Sequence, residues 1–148
     1  MYTYKVSNER TTWPRFHLAI GVTDLSKSTD FFVSTLGCEI GRTDERWIDF
    51  NFFGHQLTLH LIDERATVAV NPVDGDQVPA FHFGVVLEWE EWHTLRASLE
   101  MKKCKFLIEP HIRFEGQPGE QATLFIREPC GNALEFKSFR NMKMLFAF

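Results

Sequence analysis

Tyrosine is nearly missing from this chain of 148 residues: there are two, Tyr2 and Tyr4, against fifteen Phe and four Trp. Aromatic side chains are here to pack rather than to offer a phenol. Cysteine is scarce and unpaired. Cys38, Cys104 and Cys130 are odd in number and widely spaced, with no C-x-x-C pair, which argues against a disulfide framework or a zinc-cysteine site and reads as three reduced thiols. No basic block occurs, and sixteen Lys and Arg against twenty Asp and Glu give a net charge of -4; nucleic acid and anionic membranes are therefore not expected partners. No apolar run approaches the roughly 18 residues of a membrane helix. The opening MYTYKVSNERTT lacks the apolar stretch of a signal peptide, so a cytoplasmic location is expected. With 44% apolar and 24% charged residues, the chain reads as one soluble globular domain spanning 1–148.

What is present is a repeat. RFHLAIGV (15–22) aligns without a gap on AFHFGVVL (80–87), each with a histidine in third place. At the two-residue period of a strand, Phe16, Leu18, Ile20 and Val22 face one way, and His17, Ala19 and Gly21 the other. In the second copy Phe81, Phe83, Val85 and Leu87 oppose His82, Gly84 and Val86. A helix follows each strand. Thr23 or Asp24 caps the first, with Leu25, Phe32, Val33 and Leu36 on one face and Gly37 as its stop. The second, 88–101, places Trp89, Trp92, Leu95 and Leu99 at helical spacing, with Glu90 and Glu91 in the first turn, where the helix dipole favours negative charge. Three short strands then follow in each half: CEIGRTD, RWIDFNFF and HQLTLHLI, then KFLIEPHIRF, QATLFIRE and ALEFKSF. The predicted unit is βαβββ used twice, module one over about 15–62 and module two over about 80–140. Residues 63–79 form a linker, and FEGQPGEQ (114–121) is a longer loop. Cys38 and Cys104 fall at corresponding points.

The fold class expected is α+β, a cup-shaped mixed sheet with helices on its outer face. Alternation sends Leu57, Leu59 and Leu61 to the helix layer and Gln56, Thr58 and His60 to the cup; likewise Leu134 and Phe136 oppose Glu135 and Lys137. His17, His60, His82 and Glu135 then share one face at equivalent strand positions. Two imidazoles and one carboxylate with open positions suit iron(II), and also manganese, zinc or nickel, leaving room for a chelating substrate. We take His17, His82 and Glu135 as metal ligands. His60 is the candidate acid or base, with a fourth ligand or a lining residue as alternatives. His55 reads as a solvated loop residue, His93 as an outer-surface one, and His111 as solvated on an edge strand, though it could overhang the cup with Arg113. Lys137 could neutralise an anionic ligand or simply form a salt bridge. Trp47, Phe125 and Phe139 are candidate aromatic walls.

These segments resemble the vicinal oxygen chelate superfamily, which includes glyoxalase I, extradiol dioxygenases, fosfomycin-resistance enzymes and bleomycin-binding proteins. The likeness runs from about Arg15 to Arg140. It rests on FHLAIGVTDLSKSTDFFVSTLGCEIGR, HFGVVL and REPCGNALEFK, the last with Glu128 where aspartate is usual. More narrowly, RWIDFNFFGHQLTLHL, NPVDGDQVPAFHFGVVLEWEEWH and RFEGQPGEQATLF look like small bacterial proteins described as predicted extradiol-type dioxygenases. The resemblance implies ligands from the first strand of each module and the last strand of the second, which map onto His17, His82 and Glu135. Glyoxalase I takes a fourth ligand, a glutamate, from the last strand of its first module; Leu59-His60-Leu61 stands there in this chain. The familiar extradiol tyrosine is missing too. The resemblance thus implies a dioxygenase cleaving a small aromatic diol held on iron(II). Its alternatives are a lyase, isomerase or thiol transferase using the metal as a Lewis acid, and a binding protein without chemistry. It also implies a homodimer; the apolar run MKMLFAF (142–148) either covers a neighbouring surface or packs back on its own domain.

Overall fold

The computed structural model describes residues 13–65, 67–73 and 75–147. Both predicted units form. Module one runs β1 (His17–Val22), α1 (Leu25–Asp30), β2 (Glu39–Thr43), β3 (Trp47–Phe52) and β4 (His55–Leu61). Module two runs β7 (Phe83–Val86), α2 (Trp89–Met101), β8 (Phe106–Arg113), β9 (Gln121–Arg127) and β10 (Ala133–Phe139). The strand orders repeat as well, β1-β4-β3-β2 and β7-β10-β9-β8. In each sheet the first strand lies parallel to the last and the other neighbours are antiparallel. The eight strands make two four-stranded sheets, with β1 and β7 at their edges, rather than one continuously paired sheet.

The linker is more ordered than its composition suggests. It folds as a hairpin of β5 (Val70–Val73) and β6 (Asp76–Pro79), turned with the help of Gly75 at φ +89°, a conformation glycine adopts without Cβ strain.

The first helix ends differently from a regular amphipathic one. Asp24 caps it, accepting the Lys27 N–H at 3.0 Å, but Phe31–Thr35 widens into a π-helical turn. The wider turn shifts the buried face. Phe31 and Phe32 are buried while Val33 is exposed, so the expected placement of Val33 in the core is replaced by Phe31. Gly37, at φ +74°, terminates the segment as expected. In the second helix Trp92 and Leu99 are fully buried, and the indole of Trp92 donates to the Phe136 carbonyl at 2.9 Å. That bond fixes the helix on β10 beside Glu135.

The two modules share one core. Ile20, Val22, Phe32, Phe50, Phe52, Leu57 and Leu59 join Leu87, Trp92, Leu99, Leu124, Ile126, Leu134 and Phe136 in one cluster, with the Phe52 ring 5.7 Å from Phe83 and 6.4 Å from Phe136. Phe16 and Phe81, expected on this apolar side, stand 63% and 48% exposed, because both precede the strands proper and lie beyond the edge of the core. The C-terminal Met142–Phe146 forms a 3₁₀ turn with Met144 half-buried and Phe146 exposed. Among the described residues no helix is long and apolar enough to cross a membrane.

Candidate functional site

The pairing registers place the site residues. In module two Glu135 lies opposite Gly84 on β7 and Phe125 on β9, and Lys137 lies opposite Val86 and Thr123. In module one Thr58 lies opposite Ala19 and Asp49, and His60 opposite Gly21 and Trp47. Since Ala19 and Gly84 correspond in the repeat, Thr58 is the counterpart of Glu135 and His60 the counterpart of Lys137. The equivalence read between His60 and Glu135 is therefore off by two residues, about 7 Å along a strand. A period of two fixes the face but not the level.

His82 sits immediately before β7, and its Nδ1 lies 2.8 Å from the Pro79 carbonyl oxygen. A carbonyl only accepts, so Nδ1 is the donor to Pro79, and a cation bound at Nε2 would take the lone pair there. That Nε2 is 3.2 Å from Oε2 of Glu135. Oε1 of Glu135 accepts the Thr123 hydroxyl at 2.7 Å and lies 3.7 Å from Lys137 Nζ. The carboxylate is thus oriented by Thr123 through one oxygen and presents the other to His82. An imidazole held by a carbonyl on its far nitrogen and a hydrogen-bonded carboxylate are the donor chemistry a divalent cation takes. Phe125 backs the pair, its ring 5.1 Å from that of His82.

The pair opens into a cavity of about 220 Å³. Phe125, Ile108, Val73 and Val78 give its apolar walls, and Asp76, His111, Arg113, Thr123 and Lys137 its polar ones. The hairpin β5–β6 supplies three of these residues and so roofs the module-two face. His111 is half-buried in this wall, not a solvated edge residue. The reason is a break in the β8–β9 register between Ile108 and His111, at Pro110; a bulge lets two residues an odd number apart face the same side.

Neither His17 nor His60 lines this cavity. Both are exposed on module one. Among the described residues no three His, Cys, Asp or Glu side chains converge as a metal-binding group. One chain brings His82 and Glu135 together and leaves His17 and His60 apart from them. Two other histidines depart from their expected surroundings. His55 opens β4, where Nδ1 accepts the Phe16 N–H at 2.9 Å; His93 packs edge-on to Trp89 and Trp92 at 5.2 and 5.1 Å.

The module-one face has its own polar centre, which the residue patterns did not single out. Asp49 is buried and accepts from Thr58 at 2.6 Å, Arg42 at 3.0 Å and Gln56 at 3.3 Å. Burial alone would raise its pKa, but the Thr58 hydrogen bond, the Arg42 bond and charge, and the Gln56 bond outweigh that and hold the carboxyl below its ordinary value. An open concavity of about 690 Å³ lies over Asp49, Gln56, Asn51, Arg42 and Arg15. The alternation of Trp47, Asp49 and Asn51 in RWIDFNFF was the signal that could have found it.

Glu128 has a structural place. Fully buried, it accepts from Ser28 at 2.8 Å, the Cys130 N–H at 3.0 Å, and the N–H and side-chain amide of Asn132 at 2.9 and 2.8 Å. Asn132 also donates to the Gly21 carbonyl at 3.1 Å, and Arg65 donates to the Cys130 carbonyl and to Asn132. The REPCGN turn therefore ties β10 to α1, β1 and the linker.

Two βαβββ modules with a histidine and carboxylate on a cupped face define the class, and the comparisons give the family. The chain belongs to the glyoxalase/bleomycin resistance protein/dioxygenase superfamily, whose model matches residues 16–136. It is similar to the structure of a glyoxalase/bleomycin resistance protein/dioxygenase from Alicyclobacillus acidocaldarius, at 32% identity over 90% of this chain and 96% of that one, with a TM-score of 0.76. The fold alone is shared with a lactoylglutathione lyase from Agrobacterium tumefaciens (16% identity, 94% and 100% coverage, TM-score 0.62). The same holds for the fosfomycin resistance protein FosX from Listeria monocytogenes (13% identity, 90% and 98% coverage, TM-score 0.66). Comparison with curated proteins finds no match.

Proposed function

We propose that this protein is a metal-dependent enzyme, a dioxygenase of extradiol type acting on a small aromatic diol, with iron(II) held by His82, Glu135 and His17. The observation that carries the reading is the His82–Glu135 pair: Nδ1 committed to Pro79, Nε2 facing Oε2 at 3.2 Å. His17 reaches such a site from a second copy of the chain. Support for a homodimer comes from β1 and β7, each at an edge of its sheet, the exposed Phe16 and Phe81 beside them, and the open module-one concavity. In that arrangement His60 comes with His17 from the module-one face and is placed as the acid or base.

A divalent ion bound there supplies Lewis acidity and positions for two adjacent oxygens. The chain's own residues do the rest. Thr123 keeps Glu135 oriented, Pro79 keeps His82 in the tautomer that donates its Nε2 lone pair, and Phe125 with Ile108 gives a planar ring an apolar wall. The β5–β6 roof narrows access of bulk water.

Elemental analysis of protein purified without chelator or affinity tag, beside His82→Ala, tests the site. About one iron per chain, lost in the variant, followed by oxygen uptake and a ring-opened product with a catechol, is the expected result. Manganese, nickel or zinc with oxygen-independent turnover would replace ring cleavage by lyase, isomerase or thiol-transfer chemistry. Metal that survives His82→Ala would overturn the ligand assignment, and a folded protein that takes up no metal on titration would leave a binding module.

A further inference from the structure

The hairpin that roofs the His82–Glu135 pair also carries the residue that orients His82. Side chains alternate along its strands, and the pairing of Val73 with Asp76 and of Asn71 with Val78 puts Val73, Asp76 and Val78 on one face, the face that lines the cavity. Val70, Pro72, Gln77 and Pro79 take the other. On the sheet beneath, Glu135, Phe125 and Ile108 lie side by side across β10, β9 and β8, with Phe125 and Ile108 buried. The cavity is thus a slot, with Phe125 and Ile108 as its apolar floor and Val73 and Val78 as its apolar roof. At about 220 Å³ it falls below the roughly 300–1,000 Å³ of sites that take drug-sized ligands, which leaves room for one ring rather than two.

We infer that Val78, with Val73, sets the thickness of this slot, so that the substrate is a flat, single-ring diol without branched substituents. The inference rests on the proposed metal site for where the diol oxygens lie. A valine side chain is stiff at χ1, so neither roof residue swings aside for a thicker ligand. The strand that carries Val78 is held as well. The next residue, Pro79, is buried and its carbonyl oxygen lies 2.8 Å from His82 Nδ1, while the Ala80 N–H donates to the Ala69 carbonyl at 2.7 Å across the hairpin. A ligand that lifted Val78 would draw Pro79 from His82 and cost the imidazole its orienting bond, so a substituent too thick for the slot is opposed by the geometry of the ligand histidine itself. Val73 is 36% exposed and Val78 half-buried, so the roof keeps apolar surface for a ring to cover.

The test compares 4-methylcatechol with 4-tert-butylcatechol, which differ in the thickness of one apolar substituent, by calorimetric titration of metal-loaded protein, with metal content measured in parallel. In an open apolar site the added carbons of the tert-butyl group would tighten binding. In the slot they should weaken it at least about tenfold, a difference of about 1.4 kcal/mol. Val78→Ala should abolish or reverse that preference while metal content stays the same, Val73→Ala should reduce it, and Val70→Ala, on the far face of the hairpin, should leave it as in wild type. Metal-loaded protein that binds the tert-butyl diol as tightly as the methyl one, binds neither, keeps its preference in both Val78→Ala and Val73→Ala, or loses it equally in Val70→Ala overturns the slot and leaves the metal site standing. A Val78-dependent preference in protein that takes up no metal supports the slot and overturns the metal reading instead.

Discussion

Asp49 and Glu128 show how one carboxylate can be fixed in two ways. Asp49 is held below its ordinary carboxyl value despite burial, by Thr58, Arg42 and Gln56. A folded-state pKa below the unfolded one means that its stabilisation is fully present above the ordinary value of 3.8 and is lost as pH falls through the depressed one. Asp49→Asn should therefore destabilise the protein at pH 7 and flatten the acid limb of a stability-against-pH curve measured by denaturant unfolding. Cys38 gives the opposite limb. Burial pushes its thiol up to about 11 from 9.0, so its contribution holds below pH 9.0 and fades between there and about 11. At pH 8 the native protein should leave Cys38 unalkylated by iodoacetamide. Glu128 accepts four donors and gives none. Glu128→Gln would turn an amide N–H toward donors; a loss of about 2–3 kcal/mol is expected in denaturant melts, with metal content per folded molecule unchanged.

At the scale of elements, the site depends on how closely β7 approaches β10. Gly84 pairs with Glu135, and a Cβ there would fall inside the Glu135 carbonyl oxygen. Ala19 holds the matching place in module one without such a contact. Gly84→Ala must push the strands apart at the ligand itself, so a loss at the upper end of overpacking costs, about 3 kcal/mol, is expected by chemical denaturation, together with weakened metal uptake. Ala19→Gly, by contrast, should leave metal uptake unchanged. The β8 bulge and the β5–β6 hairpin are the other elements that shape the cavity. Neither follows from hydrophobic periodicity, because a bulge breaks the period and the hairpin has little buried face of its own.

For the whole molecule, the separation of His17 from the His82–Glu135 pair makes a stoichiometric prediction. If each site draws on two copies, His17→Ala and Glu135→Ala should each bind no metal at this site when pure. Co-refolded as a mixture, half of the chains form heterodimers under random pairing, each with one intact site and one doubly damaged one. Metal content of about one ion per heterodimer, measured after separation with two affinity tags, is the expected outcome; no recovery would place all three ligands within one chain.

Much of this was determined by the sequence itself. The repeat of RFHLAIGV and AFHFGVVL, with strand and helix periods after each, set out both βαβββ modules and put the correct residues of β4 and β10 on the polar face, because side-chain alternation is a local property of the chain. Only the tertiary structure decided the levels. Backbone pairing made Thr58, not His60, the counterpart of Glu135; a register break turned His111 into the cavity; and the packing of the two modules on one shared core left His17 away from His82 and Glu135. Register and module packing depend on contacts between residues distant in sequence, which a period of two repeats identically at every level of the strand.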